Sequence, residues 1–185
     1  MAGPGNRGGL SPWELTLPEL LQKAGYQTAI VGKWHLKTAP TGFDHWKILI
    51  GQGEYYSPVF LDNGQEVRHD GYVTDLITDF ALEYLESRDE SRPFFLVYNH
   101  KAPHRNWMPS VKHLDMYEGR DLPLPETFWD DYEGRPAAMG QDMRIADMYL
   151  SMDMKLHEEV YGEETGTGGQ KAFPAGEAWK RSYAR

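Results

Sequence analysis

The stretch "QTAIVGKWHL", Gln27 to Leu36, decides the reading of the fold. Its apolar, β-branched run from Thr28 to Val31 is a strand of the kind buried on both faces in a parallel sheet. The run stops at Gly32 and releases Lys33, Trp34 and His35 in immediate succession. Just upstream, "TLPELLQKAGY" reads as a short helix. Thr16 and Glu19 have the spacing of a capping box, Pro18 suits a first turn, and Gly25 ends a helix expected to bury Leu17, Leu20 and Leu21.

Working downstream, Trp34 to Tyr56 is aromatic and broken by Gly42, Gly51 and Gly53, which predicts a long surface loop. "SPVFLDNGQEVRHDGY" predicts a hairpin, with Asn63-Gly64 as the two-residue turn. In "YVTDLITDFALEYLESR", Val73, Leu76, Ile77, Phe80, Ala81, Tyr84 and Leu85 fall on one face of an amphipathic helix. A second apolar run, "FFLVY" from Phe94 to Tyr98, ends as abruptly as the first, at "NHKAPHRNW". Helix, strand, helix, strand argues for an α/β domain with a mostly parallel sheet flanked by helices. The chain is expected to form one unit with its recognisable core at about 16–110. An irregular insert and a helix carrying Ile145, Met148, Tyr149, Met152 and Leu156 follow over 111–160, and a flexible Gly-rich segment over 161–185.

At 185 residues, 40% of them hydrophobic, the chain is long enough for one ordinary core. Its formal net charge of −9 gives no electrostatic support to nucleic-acid or anionic-membrane binding, so any anion site must be local. The absence of cysteine excludes disulfides, thiolate metal ligands and a cysteine nucleophile within the chain. No apolar stretch reaches the roughly 20 residues of a membrane span, and "MAGPGNRGGLSPWE" lacks the apolar core of a signal peptide.

In parallel sheets, ligands bind beyond the carboxyl ends of the strands, where loops converge. Here those ends deliver Lys33 and His35, then His100, Lys101, His104 and Arg105, within an otherwise acidic chain. Any one of these is most simply a solvated or capping side chain. Their convergence at two strand ends points to an anion pocket. "LDNG" from Leu61 to Gly64 is better explained as turn chemistry than as a cation site, and the methionines as packing. His45, His69, His113 and His157 have no partner legible in the sequence.

"GKWHL", Gly32 to Leu36, in its helix and strand context, together with "FFLVYNHKAPHRNW", resembles the type I sulfatases of the alkaline phosphatase superfamily. The similarity runs from about Thr16 to at least Trp107, and "GQGEYYSPVF" is most similar to the N-acetylglucosamine-6-sulfatase-like group. The resemblance implies a partial alkaline-phosphatase-like fold and hydrolysis of sulfate esters on glycans at a Ca²⁺ site, by a formylglycine nucleophile made from a C/S-x-P-x-R motif. It implies catalytic roles for Lys33, which binds the sulfate, His35 on the nucleophile side, and His104 at the sulfate and leaving oxygen. Substrate binding is expected from Lys33, His104, Arg105 and Trp107. Trp34, Trp46, Tyr55, Tyr56 and Trp107 offer sugar-stacking surface or, residue by residue, core packing.

The nucleophile motif and the calcium ligands of that family are not found in the sequence, since Ser11 is followed directly by Pro12 and Trp13. The expectation is therefore an internal fragment of a sulfatase catalytic domain, inactive alone, whose partners are a sulfated carbohydrate and the flanking parts of the same domain. Family members are often periplasmic or secreted, although no signal peptide is visible. Two other readings stay open: a noncatalytic protein binding sulfated glycans or other anions, and a phosphatase or phosphodiesterase of the same superfamily.

Overall fold

The computed structural model of the chain describes residues 9–11, 13–105 and 107–141. The chain divides into two units, Met1–His104 and Arg105–Arg185.

The first unit is built around strand β1 (Gln27–Lys33), in which Thr28 to Gly32 are all buried. Parallel strands flank it, β2 (His45–Leu49) on one side and β5 (Phe94–Asn99) on the other. A hairpin, β3 (Val59–Asp62) and β4 (Gln65–Arg68), extends the sheet antiparallel from β2, giving the order β4-β3-β2-β1-β5. The α/β sheet flanked by helices is as expected, and it is mixed: the chain reverses between β2 and β3, and again at the Asn63-Gly64 turn between β3 and β4. Both turn residues have positive φ, 45° and 96°, as a two-residue turn of this hand requires.

Strand β2 lies inside the stretch expected to be a long loop. Its five residues carry too little periodicity to show in the sequence. Pairing with β1 and β3 holds them extended, and the buried Lys47 sits 3.3 Å from Asp62 on the neighbouring strand, with its ammonium 4.0 Å over the Phe80 ring. Before β2, the Asp44 carboxylate accepts from the Thr28 amide at 2.9 Å and from Gln22 Nε2 at 2.7 Å, tying the crossover to β1.

Helix α1 (Leu17–Lys23) starts as its sequence predicts, the Glu19 carboxylate accepting from the Thr16 amide at 2.8 Å. Its apolar side is not buried as expected, for Leu17 and Leu20 are 58% and 48% exposed and Leu21 is half-buried. Helix α2 (Val73–Ser87) keeps the expected face, with Val73, Ile77, Phe80, Ala81 and Tyr84 buried. They join Ala29, Ile30, Val31, Ile48, Leu49 and Phe60 in the core, where Phe60 and Phe80 meet edge to face at 5.2 Å. His45, half-buried, stacks on Tyr84 at 5.8 Å, and His69, also half-buried, packs against the Phe60 and Phe80 rings, so both have packing partners at the margin of the core. Among the described residues β5 pairs with β1 alone, and its Phe94 and Tyr98 stay 43% and 42% exposed.

In the second unit the described residues form single 3₁₀ turns at Val111–His113 and Glu126–Trp129 and a short helix α3 (Pro136–Met139). The helix expected around Ile145 to Leu156 and the Gly-rich segment 161–185 lie outside the described residues. Among the described residues, no helix is long and apolar enough to cross a membrane.

Candidate functional site

The three parallel strands end level with one another: Lys33 is in register with Leu49, and Gly32 with Asn99. Three loops therefore leave the same edge of the sheet, after β1, β2 and β5. Gly32 is required for this. Its φ is +103°, and a Cβ there would stand 1.9 Å from the Asn99 carbonyl oxygen. The glycine lets β1 and β5 approach at the point where the chain turns out of the sheet. The Asn99 side-chain amide then donates to the Lys33 carbonyl at 3.1 Å, and His35 turns with φ +55°.

Gln52, on the loop after β2, sits at the centre of the cluster. The Lys33 ammonium donates to its Oε1 at 2.5 Å. Its Nε2 lies 3.0 Å from His35 Nε2. From the third loop, Lys101 Nζ donates to the Gln52 backbone carbonyl at 3.0 Å and lies 4.7 Å over the Tyr55 ring. Tyr55 in turn donates its hydroxyl to the His104 carbonyl at 2.6 Å, tying the loop after β2 to the loop after β5. A Lys101–His104 turn, with a cis Ala102-Pro103 bond, completes that last loop.

The electrostatics are lopsided. Lys101 is only 5% exposed, and Lys33 is half-buried. Burial lowers the pKa of Lys33. Burial and the neighbouring Lys33 charge bring Lys101 down to about 8, against a weak opposing pull from Glu54. His35 is also held below its ordinary value, first by burial and then by the positive charges of Lys33, His104 and Lys101. Tyr55 is pushed up to about 12 by burial and by Tyr72, which stacks on it at 6.1 Å, so its hydroxyl stays a donor. Among the described residues neither lysine has a carboxylate within ion-pair distance. Asp62 and Glu83 pair with Lys47, and Glu54 with Arg68. Cations taken out of water without a counter-ion are costly unless an anion completes them.

Lys33, His35 and His104, expected as site residues, are thus brought together by the strand ends. Lys101, expected in the anion pocket from its place in "NHKAPH", joins them; Gln52 belongs with them and is not among those expected, its one signal being a polar side chain between Gly51 and Gly53. Arg105 and Trp107 begin the second unit, where Trp107 is 39% exposed with φ +45°. His100 packs edge-on to Tyr98 at 4.5 Å, its Nδ1 buried without a hydrogen-bond partner, and burial lowers its pKa. Of the aromatic candidates, Trp34 packs on Phe43 and donates to the Thr38 carbonyl at 2.7 Å, while Tyr55 and Tyr56 pack on Tyr72. These are packing roles.

Among the described residues no group of three or more His, Asp or Glu side chains is gathered as a metal centre. Two ammonium groups, an imidazole and a carboxamide are a poor donor set for a hard cation such as Ca²⁺, which selects carboxylates and carbonyl oxygens. The pocket's chemistry suits an anion.

Comparison with known proteins gives a concordant picture. A family model described as "Sulfatase" matches residues 2–156. An N-acetylglucosamine-6-O-sulfatase of Bacteroides thetaiotaomicron is 46% identical over 181 residues, covering 92% of this chain and 32% of that protein. The human N-acetylglucosamine-6-sulfatase is 26% identical over 129 residues, covering 61% of this chain and 23% of its own length. A solved structure of a protein in complex with its substrate D-glucosamine-2-N,6-O-disulfate superposes with a TM-score of 0.74 at 43% identity. That match covers 97% of this chain and 38% of the solved one. The chain therefore spans between 23% and 38% of the length of these relatives.

Proposed function

Given that the chain belongs to the sulfatase family, we propose that it supplies the sulfate-gripping wall of a sulfuric ester hydrolase acting on sulfated glucosamine residues of glycans. One observation carries the reading: Lys33 and the buried Lys101 flank one loop edge with no carboxylate to neutralise them among the described residues. A sulfate group would provide the missing negative charge.

In sulfuryl transfer, negative charge spreads over the equatorial oxygens as the ester bond breaks. Donors already fixed in place stabilise that charge without having to reorganise. In this reading the Lys33 ammonium holds a sulfate oxygen, Lys101 adds a second positive charge behind it, and His104 stands at the leaving oxygen, which it protonates as the bond breaks. The substrate class follows the relatives, one of which was solved with a sulfated glucosamine.

The Ca²⁺ that the family resemblance implies does not fit the donor set of this pocket, so no step is assigned to it here. The pocket groups supply donors and charge but no nucleophile, and the chain alone is accordingly proposed to bind without turnover. The exposed Leu17, Leu20, Phe94 and Tyr98 mark the surface that other parts of a sulfatase domain would cover.

Calorimetric titration with glucosamine 6-sulfate and with glucosamine tests the reading. The sulfated sugar should bind, and bind more tightly than glucosamine. A hydrogen bond to a charged group contributes about 1.5–3 kcal/mol, so Lys33→Ala should weaken binding by roughly 10- to 100-fold. Equal affinity for the two sugars, or an unchanged Lys33→Ala titration, refutes it. Sulfate release by the chain alone would overturn its assignment as noncatalytic.

A further inference from the structure

Gln52 contacts Lys33, His35 and Lys101, and the chemistry of those contacts leaves little freedom. An ammonium group has only protons to offer, so the side-chain atom of Gln52 facing Lys33 at 2.5 Å must be the carbonyl oxygen. The carboxamide NH₂ is then the atom 3.0 Å from His35 Nε2. An NH₂ group donates and has no lone pair to give, so His35 Nε2 must accept. A histidine whose Nε2 accepts is neutral and carries its proton on Nδ1.

We infer that Gln52 is a positioning residue that reads the charge of Lys33 and, through its carboxamide, fixes His35 as the neutral Nδ1–H tautomer. The chain Lys33–Gln52–His35 is a directed hydrogen-bond relay, with each member's orientation dictated by the one before. The surroundings agree. Burial and the neighbouring Lys33 charge disfavour a charge on His35, and no carboxylate among the described residues lies within ion-pair distance to favour an imidazolium. The backbone of the same residue anchors Lys101, so one loop position arranges both lysines.

The consequence rests on the sulfate-pocket reading. His35 acts there as a neutral hydrogen-bond donor through Nδ1–H, its Nε2 being occupied. The positive charge of the pocket then resides on the lysines, and His35 is not its general acid.

The test is made on the ligand-free chain, so that it stands or falls independently of whether sulfated sugars bind. Long-range ¹H–¹⁵N correlation of ¹⁵N-histidine-labelled protein reports which ring nitrogen carries the proton, and the His35 signal is assigned by its loss in His35→Asn. At pH 7.5 the wild type should show His35 protonated on Nδ1 only. Gln52→Glu keeps an acceptor for Lys33 but presents a carboxylate to His35. Nε2 should then become protonated and the His35 midpoint should rise by about 1–3 units, as for an opposite charge at contact distance. A wild-type His35 that is protonated on Nε2, or charged, overturns the inference without any variant. So does a His35 unaffected by Gln52→Glu. If the Glu variant does not fold, Gln52→Leu gives the second reading: removal of the donor should bring the Nε2–H tautomer into the spectrum, and a pure Nδ1–H signal would again overturn it.

Discussion

Replacing Gly32 with alanine should damage the fold and the pocket together. The added Cβ would stand 1.9 Å from the Asn99 carbonyl oxygen, whereas ordinary contact begins at 3.4 Å, so the ends of β1 and β5 would have to part by roughly 1.5 Å. A ladder hydrogen bond of about 2.9 Å stretched by that amount is lost. Losing one or two such bonds costs about 0.5–1.5 kcal/mol each. The backbone adds to this, because φ +103° is a glycine conformation, and forcing a side chain into it costs about 1–3 kcal/mol. The expected loss is on the order of 2–6 kcal/mol, a large part of the roughly 5–15 kcal/mol that stabilises a domain. With a urea slope of about 2 kcal/mol per molar, the unfolding midpoint should fall by about 1–3 M. Urea titration followed by tryptophan fluorescence measures it. Affinity for glucosamine 6-sulfate should fall in parallel, because Asn99 also holds the Lys33 carbonyl. A midpoint shift below about 0.3 M would mean that β1 and β5 do not meet at Gly32 and Asn99, and the site built on that register would go with it.

Lys101 gives a pH signature. Its folded pKa, about 8, lies below the ordinary 10.5, so between these values the unfolded chain holds more protons and stability rises with pH. The wild type should therefore gain on Lys101→Met as pH climbs from about 8 to about 10.5, and the gap should be flat below about 7. Denaturation of both proteins across that range checks it, and a pH-independent gap contradicts the burial of the ammonium. Tyr55→Phe removes the 2.6 Å bond to the His104 carbonyl and should cost about 1 kcal/mol. Faster amide exchange at His104, which bonds the Lys101 carbonyl at 3.0 Å, should accompany it. Unchanged stability and exchange would show that the Tyr55 hydroxyl does not hold the loop after β5.

Much of the site was legible in the sequence because its elements announce themselves locally. The runs Thr28–Val31 and Phe94–Tyr98 are apolar enough to be strands, and each is followed by basic residues whose burial calls for a reason. The α2 face repeats at helical spacing, and Asn63-Gly64 specifies its turn through backbone conformations that other residues avoid. Strand β2 was not legible. His45 to Leu49 has no period of its own and is extended because it pairs on both sides. The burial of α1 was misjudged for a related reason: leucines at helical spacing give a face, but not what lies against it. Gln52 was out of reach from its neighbours, because a glutamine between two glycines has no signature until the strands bring it to Lys33 and His35.

By itself the sequence determined helices α1 and α2, strands β1 and β5, the β3–β4 hairpin, the glycine at which β1 leaves the sheet, and the cationic residues that leave with it. These are properties of short stretches, set by backbone conformation, hydrophobic period and side-chain charge. The tertiary structure alone decided that the sheet is mixed, that Lys101 is buried with no carboxylate beside it among the described residues, and that one carboxamide joins Lys33 to His35. Those depend on the register of strands distant in sequence, which brings the ends of β1, β2 and β5 level and makes three separate loops into one pocket.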